Sequence, residues 1–270
     1  MSDIVLSAGV RSNLLQLQKT ADLITSTQTK LATGKRVNSA LDNPINFFTA
    51  QGLTNRASDL GNLLDSMSSG ISTIQAANNG ITSITKLVQS ALALVSQAQQ
   101  TTDTTVRASL ATQFASIQSQ IDTLAGDSGF NGVNLLKGND LTLTLNESGT
   151  SSVTITAVTF DSNGLGINNA LNNWADSAAI AAAGTNLNGA LTKLRTQSQS
   201  FGSNLSTVQI RQDFTKAMIN TLQTGADGLT LADSNEEGAN LLALQTRQQL
   251  STTALSLASQ ASQAVLRLFQ

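Results

Sequence analysis

The sequence predicts a mainly α-helical chain: a long antiparallel, coiled-coil-like bundle formed by the N- and C-terminal segments, with a small β-hairpin-containing insert. Three observations carry this reading. Apolar residues recur in a 4,3 rhythm from Val10 to Leu124 and again from Leu187 to Leu268, the spacing of helix seams. Between about residues 130 and 182 the rhythm gives way to Gly, Asn and alternating apolar residues. Aromatic residues make up only 3 % of the chain, with one Trp and no Tyr, so the core must be built from Leu, Ile, Val and Ala.

The first helix is predicted from Val10, Leu14, Leu17, Ala21, Ile24 and Leu31, interrupted only by Gln28. Leu15 and Leu23 widen the stripe. Gly34 follows where a left-handed cap residue belongs, and Lys35 and Arg36 suit the negative end of a helix dipole, so the helix should stop near Thr33. Asp42-Asn43-Pro44 reads as an N-cap followed by proline at the first helical position. From Leu53 onward one seam position recurs as Leu60, Met67, Ile74, Ile81, Val88 and Val95, and its partner as Leu63, Gly70, Ala77, Ile84, Ala91 and Ala98. This predicts one helix from about residue 44 to 99, on the order of 80 Å long. Gly52, Gly61, Gly70 and Gly80 lie inside it. Each costs roughly 1 kcal/mol relative to Ala, either as tolerated weakness or as a place of close backbone approach to neighbouring helices.

After a break at Gln100 to Thr105, Leu110, Phe114, Ile117, Ile121 and Leu124 predict a third helix that ends at Gly126 and packs back on the second. Leu141, Leu143 and Leu145, then Val153, Ile155 and Ala157, alternate on either side of the turn-rich stretch from Asn146 to Ser152 and predict a hairpin. The seam returns as Leu187, Leu191, Leu194, Ser198, Phe201, Leu205, Val208, Gln212, Thr215, Ile219, Leu222, Ala226 and Leu229. That is a second very long helix of roughly 60 Å, a natural antiparallel partner for the first. Ser234-Asn235-Glu236-Glu237 has capping-box spacing and opens the last helix, whose stripe is Ala243, Leu250, Ala254, Leu257, Ala261, Ala264 and Leu268.

Composition narrows the function. Charged residues are only 12 % of the 270, with 15 basic and 17 acidic for a net charge of −2. Ser, Thr, Asn and Gln carry the polarity, and uncharged polar groups are far cheaper to take out of water than ions, which suits burial against other copies. No basic footprint for nucleic acid is present. The chain has no Cys and no His. That removes thiol nucleophiles, disulfides, most metal-ligand sets and the commonest general base, so no catalytic, cofactor or metal site is expected. Asp233, Glu236 and Glu237 are more simply read as acids at a helix N-terminus. Met1 to Val10 has neither the basic leader nor the apolar core of a Sec signal, and no apolar run reaches 18 residues, so membrane insertion is not expected.

The layout is palindromic: short helix, long helix, insert, long helix, short helix. It suggests residues 1–42 with 234–270 as a terminal helical hairpin, 43–129 with 183–233 as a long-helix bundle, and 130–182 as the insert. The terminal helices are thin and rich in Ala and Gln. A lone hairpin so narrow buries too little to offset about 1–2 kcal/mol of backbone entropy per residue. The ends are therefore expected to fold when many copies pack together, with Val10, Leu14, Leu17, Ile24, Leu31, Leu250, Leu257 and Leu268 as the self-assembly residues.

Four stretches carry a family resemblance. Leu31-Ala32-Thr33-Gly34-Lys35-Arg36-Val37-Asn38-Ser39-Ala40-Leu41-Asp42-Asn43 resembles the N-terminal signature of bacterial flagellins. Ser69-Gly70-Ile71-Ser72-Thr73-Ile74-Gln75-Ala76-Ala77 is similar to their "DGISVAQTA"-like stretch, and Phe130-Asn131-Gly132-Val133-Asn134-Leu135-Leu136 to their "FNG-x-x-LL" turn. Gln260-Ala261-Ser262-Gln263-Ala264-Val265-Leu266-Arg267-Leu268 is similar to their C-terminal ending. The motifs follow the family's order, and the resemblance covers about residues 1–136 and 190–270.

The resemblance implies a secreted subunit of the extracellular flagellar filament, an open helical homopolymer used for swimming. It implies export unfolded through the flagellum's own channel, with an export chaperone, the export apparatus, a filament cap and junction proteins as partners. Terminal helices would line the inner tube, long helices the surrounding shell, and the insert would face outward in a slim filament. Where the family's receptor-binding stretch resembles "R-V-R-E-L", this chain has Ser90-Ala91-Leu92-Ala93-Leu94, which argues against recognition by the animal Toll-like flagellin receptor. The nearest rival is a hook-filament junction protein of the same terminal design.

Overall fold

The computed structural model describes residues 8–268, without the side chains at 262 and 265–268. Helices α1 (Ala8–Thr33), α2 (Pro44–Gln100) and α3 (Thr104–Asp127) are followed by strands β1 (Leu141–Thr144) and β2 (Ser152–Ile155). A short α4 (Ser162–Leu165), a 3₁₀ turn at Leu171–Trp174, α5 (Ser177–Thr230) and α6 (Ser234–Leu268) complete the order. The chain divides into two compact units. The terminal unit comprises Met1–Asn55 and Thr221–Gln270, and the central unit Arg56–Asn220.

The central unit has a continuous core. Met67, Ile74, Ile81, Val88 and Val95 of α2 are all buried, as are Ala77, Ile84, Ala91 and Ala98 at the partner position of the heptad. They share one cluster with Leu110, Phe114 and Ile121 of α3 and with Leu187, Leu191, Leu194, Phe201 and Val208 of α5. Gln212 Nε2 donates to Ser68 Oγ at 2.8 Å, and Ser198 Oγ to Asn78 Oδ1 at 3.4 Å. Partner numbers that rise on one helix fall on the other, so α2 and α5 run antiparallel here, as the seams predict.

Two of the four helix-interior glycines are closely approached, not by a neighbouring helix as the sequence suggests but by the hairpin and the loop after α3. A Cβ on Gly70 would lie 2.6 Å from Leu143 Cδ1, and one on Gly80 2.1 Å from Ser128 Oγ and 2.9 Å from Leu136 Cδ1. At both sites an added Cβ would force the facing side chain to move. At Gly52 and Gly61 a Cβ would meet nothing within 4 Å.

Strands β1 and β2 pair antiparallel with Leu141 opposite Ile155 and Leu143 opposite Val153. Leu143 and Ile155 are buried in the shared core, while Thr142 and Thr154 face water and meet through their hydroxyls at 3.1 Å. The turn before the hairpin closes through paired backbone bonds between Phe130 and Val133, with Asn131 at φ 48° and Gly132 at φ 81°. Just beyond it, buried Asn134 donates from Nδ2 to the carbonyls of Ala125 at 2.8 Å and Gly126 at 2.9 Å. Its side chain thus satisfies the last turn of α3, which would otherwise present orphan acceptors.

Asp103 caps the start of α3 by accepting from the Thr105 and Val106 amides. The seam of α5 begins earlier than the sequence indicates, at Ser177, because Asp176 accepts from the Ala179 amide and starts the helix. Trp174 is fully buried, 5.0 Å from the Phe114 ring, and its Nε1 lacks a hydrogen-bond partner.

In the terminal unit α1 packs against α6. Gly34 ends α1 at φ 67°, the left-handed cap its position predicts. Asn43 Oδ1 accepts from the Asn46 amide at 3.0 Å and caps α2 with Pro44 in its first turn. Two cap assignments shift. Asp233, not Ser234, caps α6 by accepting from the Asn235 amide at 2.8 Å. Arg36 does not serve the end of α1; its guanidinium donates to the Gly228 carbonyl in the last turn of α5 at 3.0 Å. The negative end of α5 is equally suited to a cation, and the chain folds back so that it is the nearer one.

Candidate self-assembly surface

Every residue of the main core cluster lies between Met67 and Val208, inside the central unit. Among the described residues the terminal unit buries far less, with Val37, Ala50, Leu222 and Ala226 as its buried apolar side chains. The fully buried residues of α1 are Thr20 and Thr27, and the Thr20 hydroxyl donates to the Gln16 carbonyl of its own helix at 2.8 Å. Around them Val10, Asn13, Leu17, Ala21, Ile24 and Leu31 are half-buried. The corresponding positions of α6 are Glu237, Leu241, Leu244, Gln248, Ser251, Leu255 and Ala258, again in a 4,3 spacing. Such a seam of hydroxyls, amides and partly covered aliphatics excludes little apolar area from water.

The eight residues named from sequence separate into two groups and one remainder. Val10, Leu17, Ile24 and Leu31 are half-buried in the seam between α1 and α6. Leu14, Leu250 and Leu257 point away from it, at 41 %, 68 % and 61 % exposure. The side chain of Leu268 lies outside the described residues. The stripe read from the α6 sequence therefore does not face α1. Both faces of α6 carry heptad-spaced aliphatics; Leu241, Leu244 and Leu255 are the half-buried set, on the side where Lys30 pairs with Glu237 at 3.1 Å.

On the outward face of α6 the exposed Leu242, Leu250 and Leu257 stand among Ser, Thr and Gln side chains. No ionisable residue occurs between Arg247 and Arg267. Of the fifteen large hydrophobic residues that are exposed among the described residues, ten belong to the terminal unit: Leu14, Leu15, Leu23, Leu41, Ile45, Phe48, Leu231, Leu242, Leu250 and Leu257. So the unit with the smaller core carries most of the exposed large hydrophobics among the described residues, the arrangement expected of subunit interfaces rather than of a monomer's exterior.

The segment joining these helices is held by its own polar network. Arg36 N donates to Thr230 O at 2.8 Å and Ala232 N to Gly34 O at 2.9 Å, closing the bridge between Lys35 and Leu231. Asp42 Oδ2 accepts from the amides of Asn38 at 3.0 Å and Ser39 at 2.9 Å. Those backbone donors, and the Ser39 hydroxyl after them, hold the Asp42 carboxyl below the usual aspartate range. The motif from Leu31 to Asn43 is thus a folded connector. Sequence reasoning saw its helix stops but not its bonds to the α5–α6 junction, which no local pattern encodes.

Among the described residues no group of three or more acidic side chains is placed to hold a metal ion. Asp233 is engaged as a cap and Glu237 as an ion-pair partner. No described helix is long and apolar enough to cross a membrane.

Comparison with known proteins decides the family. The bacterial flagellin N-terminal helical region matches residues 8–140, and the bacterial flagellin C-terminal helical region matches residues 185–269. The flagellin FljM of Caulobacter vibrioides is 31 % identical over 275 residues, spanning 100 % of this chain and 99 % of that protein.

The chain belongs to the bacterial flagellin family.

A flagellin of Brucella melitensis is 27 % identical over the full length of both proteins. The crystal structure of Bacillus cereus flagellin aligns with 56 % of this chain and 88 % of its own at 23 % identity, with a TM-score of 0.49. This flagellin is a structural subunit of the flagellar filament, an extracellular appendage. The family matches leave out residues 141–184, which hold the β1–β2 hairpin, α4 and the 3₁₀ turn.

Proposed function

We propose that this flagellin polymerises through its terminal unit, whose helices acquire most of their burial only from neighbouring copies. One observation carries the reading: the main core lies wholly between Met67 and Val208, while ten exposed large hydrophobics lie in the terminal unit. Leu14, Leu250 and Leu257 are the direct subunit contacts. Val10, Leu17, Ile24 and Leu31 form the seam that fixes how α6 presents them, and Leu268 continues the α6 stripe. Residues 1–42 and 234–270 act as the filament core, 43–129 and 183–233 as the surrounding bundle, and 130–182 as the outward insert.

Delivery follows from the same physics. A subunit whose ends gain order on assembly travels unfolded through the flagellar export apparatus, guided by an export chaperone, and is added beneath a filament cap on top of junction proteins. The absence of cysteine from the sequence supports passage between compartments without a redox-dependent folding step.

Seeded growth tests the reading. Purified subunit is followed by circular dichroism and limited proteolysis before and after addition of sonicated filament fragments. Cleavage of residues 1–40 and 235–270 in the monomer, with protection and a gain in helix on seeding, is the expected result. Protected ends in a monodisperse subunit that no seed extends would overturn it.

A further inference from the structure

The chain contains four Asn-Gly pairs, Asn79-Gly80, Asn131-Gly132, Asn163-Gly164 and Asn188-Gly189, all in the central unit. Such a pair is prone to a reaction of its own, in which the glycine nitrogen attacks the side-chain amide carbon of the asparagine, because glycine has no Cβ to hinder the approach. Three of the pairs are engaged by the fold. Asn79 and Asn188 lie inside α2 and α5, where the nitrogen of the following glycine donates to the carbonyl four residues earlier. Asn188 Nδ2 is itself bonded to the Gly184 carbonyl at 3.0 Å. Gly164 donates its N–H to Asp161 Oδ1 at 2.9 Å, and a Cβ on it would lie 1.9 Å from the Thr159 carbonyl oxygen.

Asn131-Gly132 is different. Both residues are exposed, and they fill the central positions of a two-residue turn with φ of 48° and 81°. The bonds that close the turn run between Phe130 and Val133, and among the described residues no hydrogen bond engages Asn131 or Gly132. A Cβ at Gly132 would meet nothing within 4 Å, so its nitrogen is open to the neighbouring side chain and to water.

We propose that the fold singles out Asn131 for spontaneous deamidation, a modification the chain performs on its own backbone. The Gly132 nitrogen loses its proton to solvent base and bonds to Asn131 Cγ; the bond from Cγ to the side-chain nitrogen breaks and ammonia leaves, giving a five-membered succinimide. Water adds to either ring carbonyl and opens it, to aspartate or to isoaspartate, in which the main chain runs through Cβ and Cγ. One water enters and one ammonia departs, with no change of oxidation state. Reaching the geometry of attack asks only for local opening of an exposed turn closed by two backbone bonds, whereas at Asn79 and Asn188 a long helix must break first. Either product places a new carboxylate on the groove that Asn131 shares with Asp65. Isoaspartate also adds a main-chain atom to the turn that brings Asn134 under α3, and so disturbs its register. Ammonia is lost to solvent, so the converted fraction only rises with time.

The test uses the unaltered wild-type subunit. It is held in mildly alkaline buffer made with water enriched in heavy oxygen, beside a second sample in urea, and both are followed by peptide-mapping mass spectrometry. Heavy oxygen marks each conversion that takes place during the incubation, and methyl transfer by an isoaspartyl methyltransferase reports the isoaspartate. In the folded subunit Asn131 should convert at least about tenfold faster than Asn79, Asn163 and Asn188, because those three wait on structural opening. In urea the four rates should converge. Conversion of Asn131 no faster than the other three in folded protein overturns the proposal. An excess at Asn131 that persists undiminished in urea overturns it as well, since flanking sequence and not the fold would then set the rate.

Discussion

Leu143 of the hairpin rests on the bare backbone of Gly70 in α2, so closely that a Cβ there would lie 2.6 Å from its Cδ1 and 2.7 Å from its Cδ2. The hairpin is thereby seated on a helix in which glycine is otherwise unfavourable. A glycine that costs roughly 1 kcal/mol in helix propensity is offset by apolar packing that a larger residue would prevent.

Three alanine substitutions should therefore rank in order. Gly80→Ala confronts Ser128 Oγ and Leu136 Cδ1, two side chains from different directions, and should be the most destabilising. Gly70→Ala confronts only the mobile end of Leu143 and should cost less, within the roughly 1–3 kcal/mol typical of overpacking. Gly61→Ala meets open space and should stabilise by up to about 1 kcal/mol. Chemical denaturation of the three variants gives the ranking, and any other order contradicts the packing.

Arg107 offers a second test. Its guanidinium is buried and donates to the carbonyls of Ala98, Thr101 and Ala175 and to Ser177 Oγ, joining the ends of α2, α3 and α5. Arg107→Gln should destabilise the central unit by about 2–4 kcal/mol, since it leaves several carbonyls without donors. Arg107→Lys should recover little of this, because an ammonium lacks the planar fork that reaches acceptors in several directions. Trp174, the only tryptophan and fully buried in this unit, supplies the fluorescence signal for both melts.

The connector should loosen in acid. The amides of Asn38 and Ser39 hold the folded Asp42 pKa below its unfolded value. Its contribution is therefore fully present above the unfolded pKa and is lost as pH falls through the folded one. In assembled protein, hydrogen exchange at Asn38 and Ser39 should accelerate below the ordinary aspartate range, and Asp42→Asn should show the faster exchange already at neutral pH. Identical exchange in both proteins at pH 7 would remove this role from Asp42.

Seam and surface leucines should separate assembly from folding. Leu250→Ser and Leu257→Ser alter exposed positions and should leave monomer melting within about 0.5 kcal/mol of wild type. Seeded elongation should nevertheless slow in both. Leu17→Ser, in the half-buried seam, should reduce the protection that α1 and α6 gain on seeding as well as growth. Equal elongation by Leu250→Ser and wild type would count against the outward stripe as a contact.

The helices of the central unit were legible because their burial follows heptads unbroken by insertions. Met67, Ile74, Ile81, Val88 and Val95 are each buried where the 4,3 rhythm places them. The hairpin was legible for the same reason, with alternation in place of heptads. Capping was less so. Asp233 and Ser234 both suit an N-cap, and one residue's difference in where the turn begins decides between them. Asn134 was quoted within a motif, but its bonds to Ala125 and Gly126 become visible only once the turn at Asn131-Gly132 has brought it under α3.

By itself, then, the sequence determined the fold class, the succession of helices, the insert and the family, because periodicity and signature motifs are properties of consecutive residues. Only the tertiary structure decided what Gly70 and Gly80 touch, which cation serves which helix end, and which of two aliphatic stripes on α6 turns toward α1. Each of these depends on distances between segments far apart in the chain. Where a helix carries two faces of similar hydrophobicity, contacts with distant segments, Lys30 to Glu237 among them, accompany the choice that the sequence leaves open.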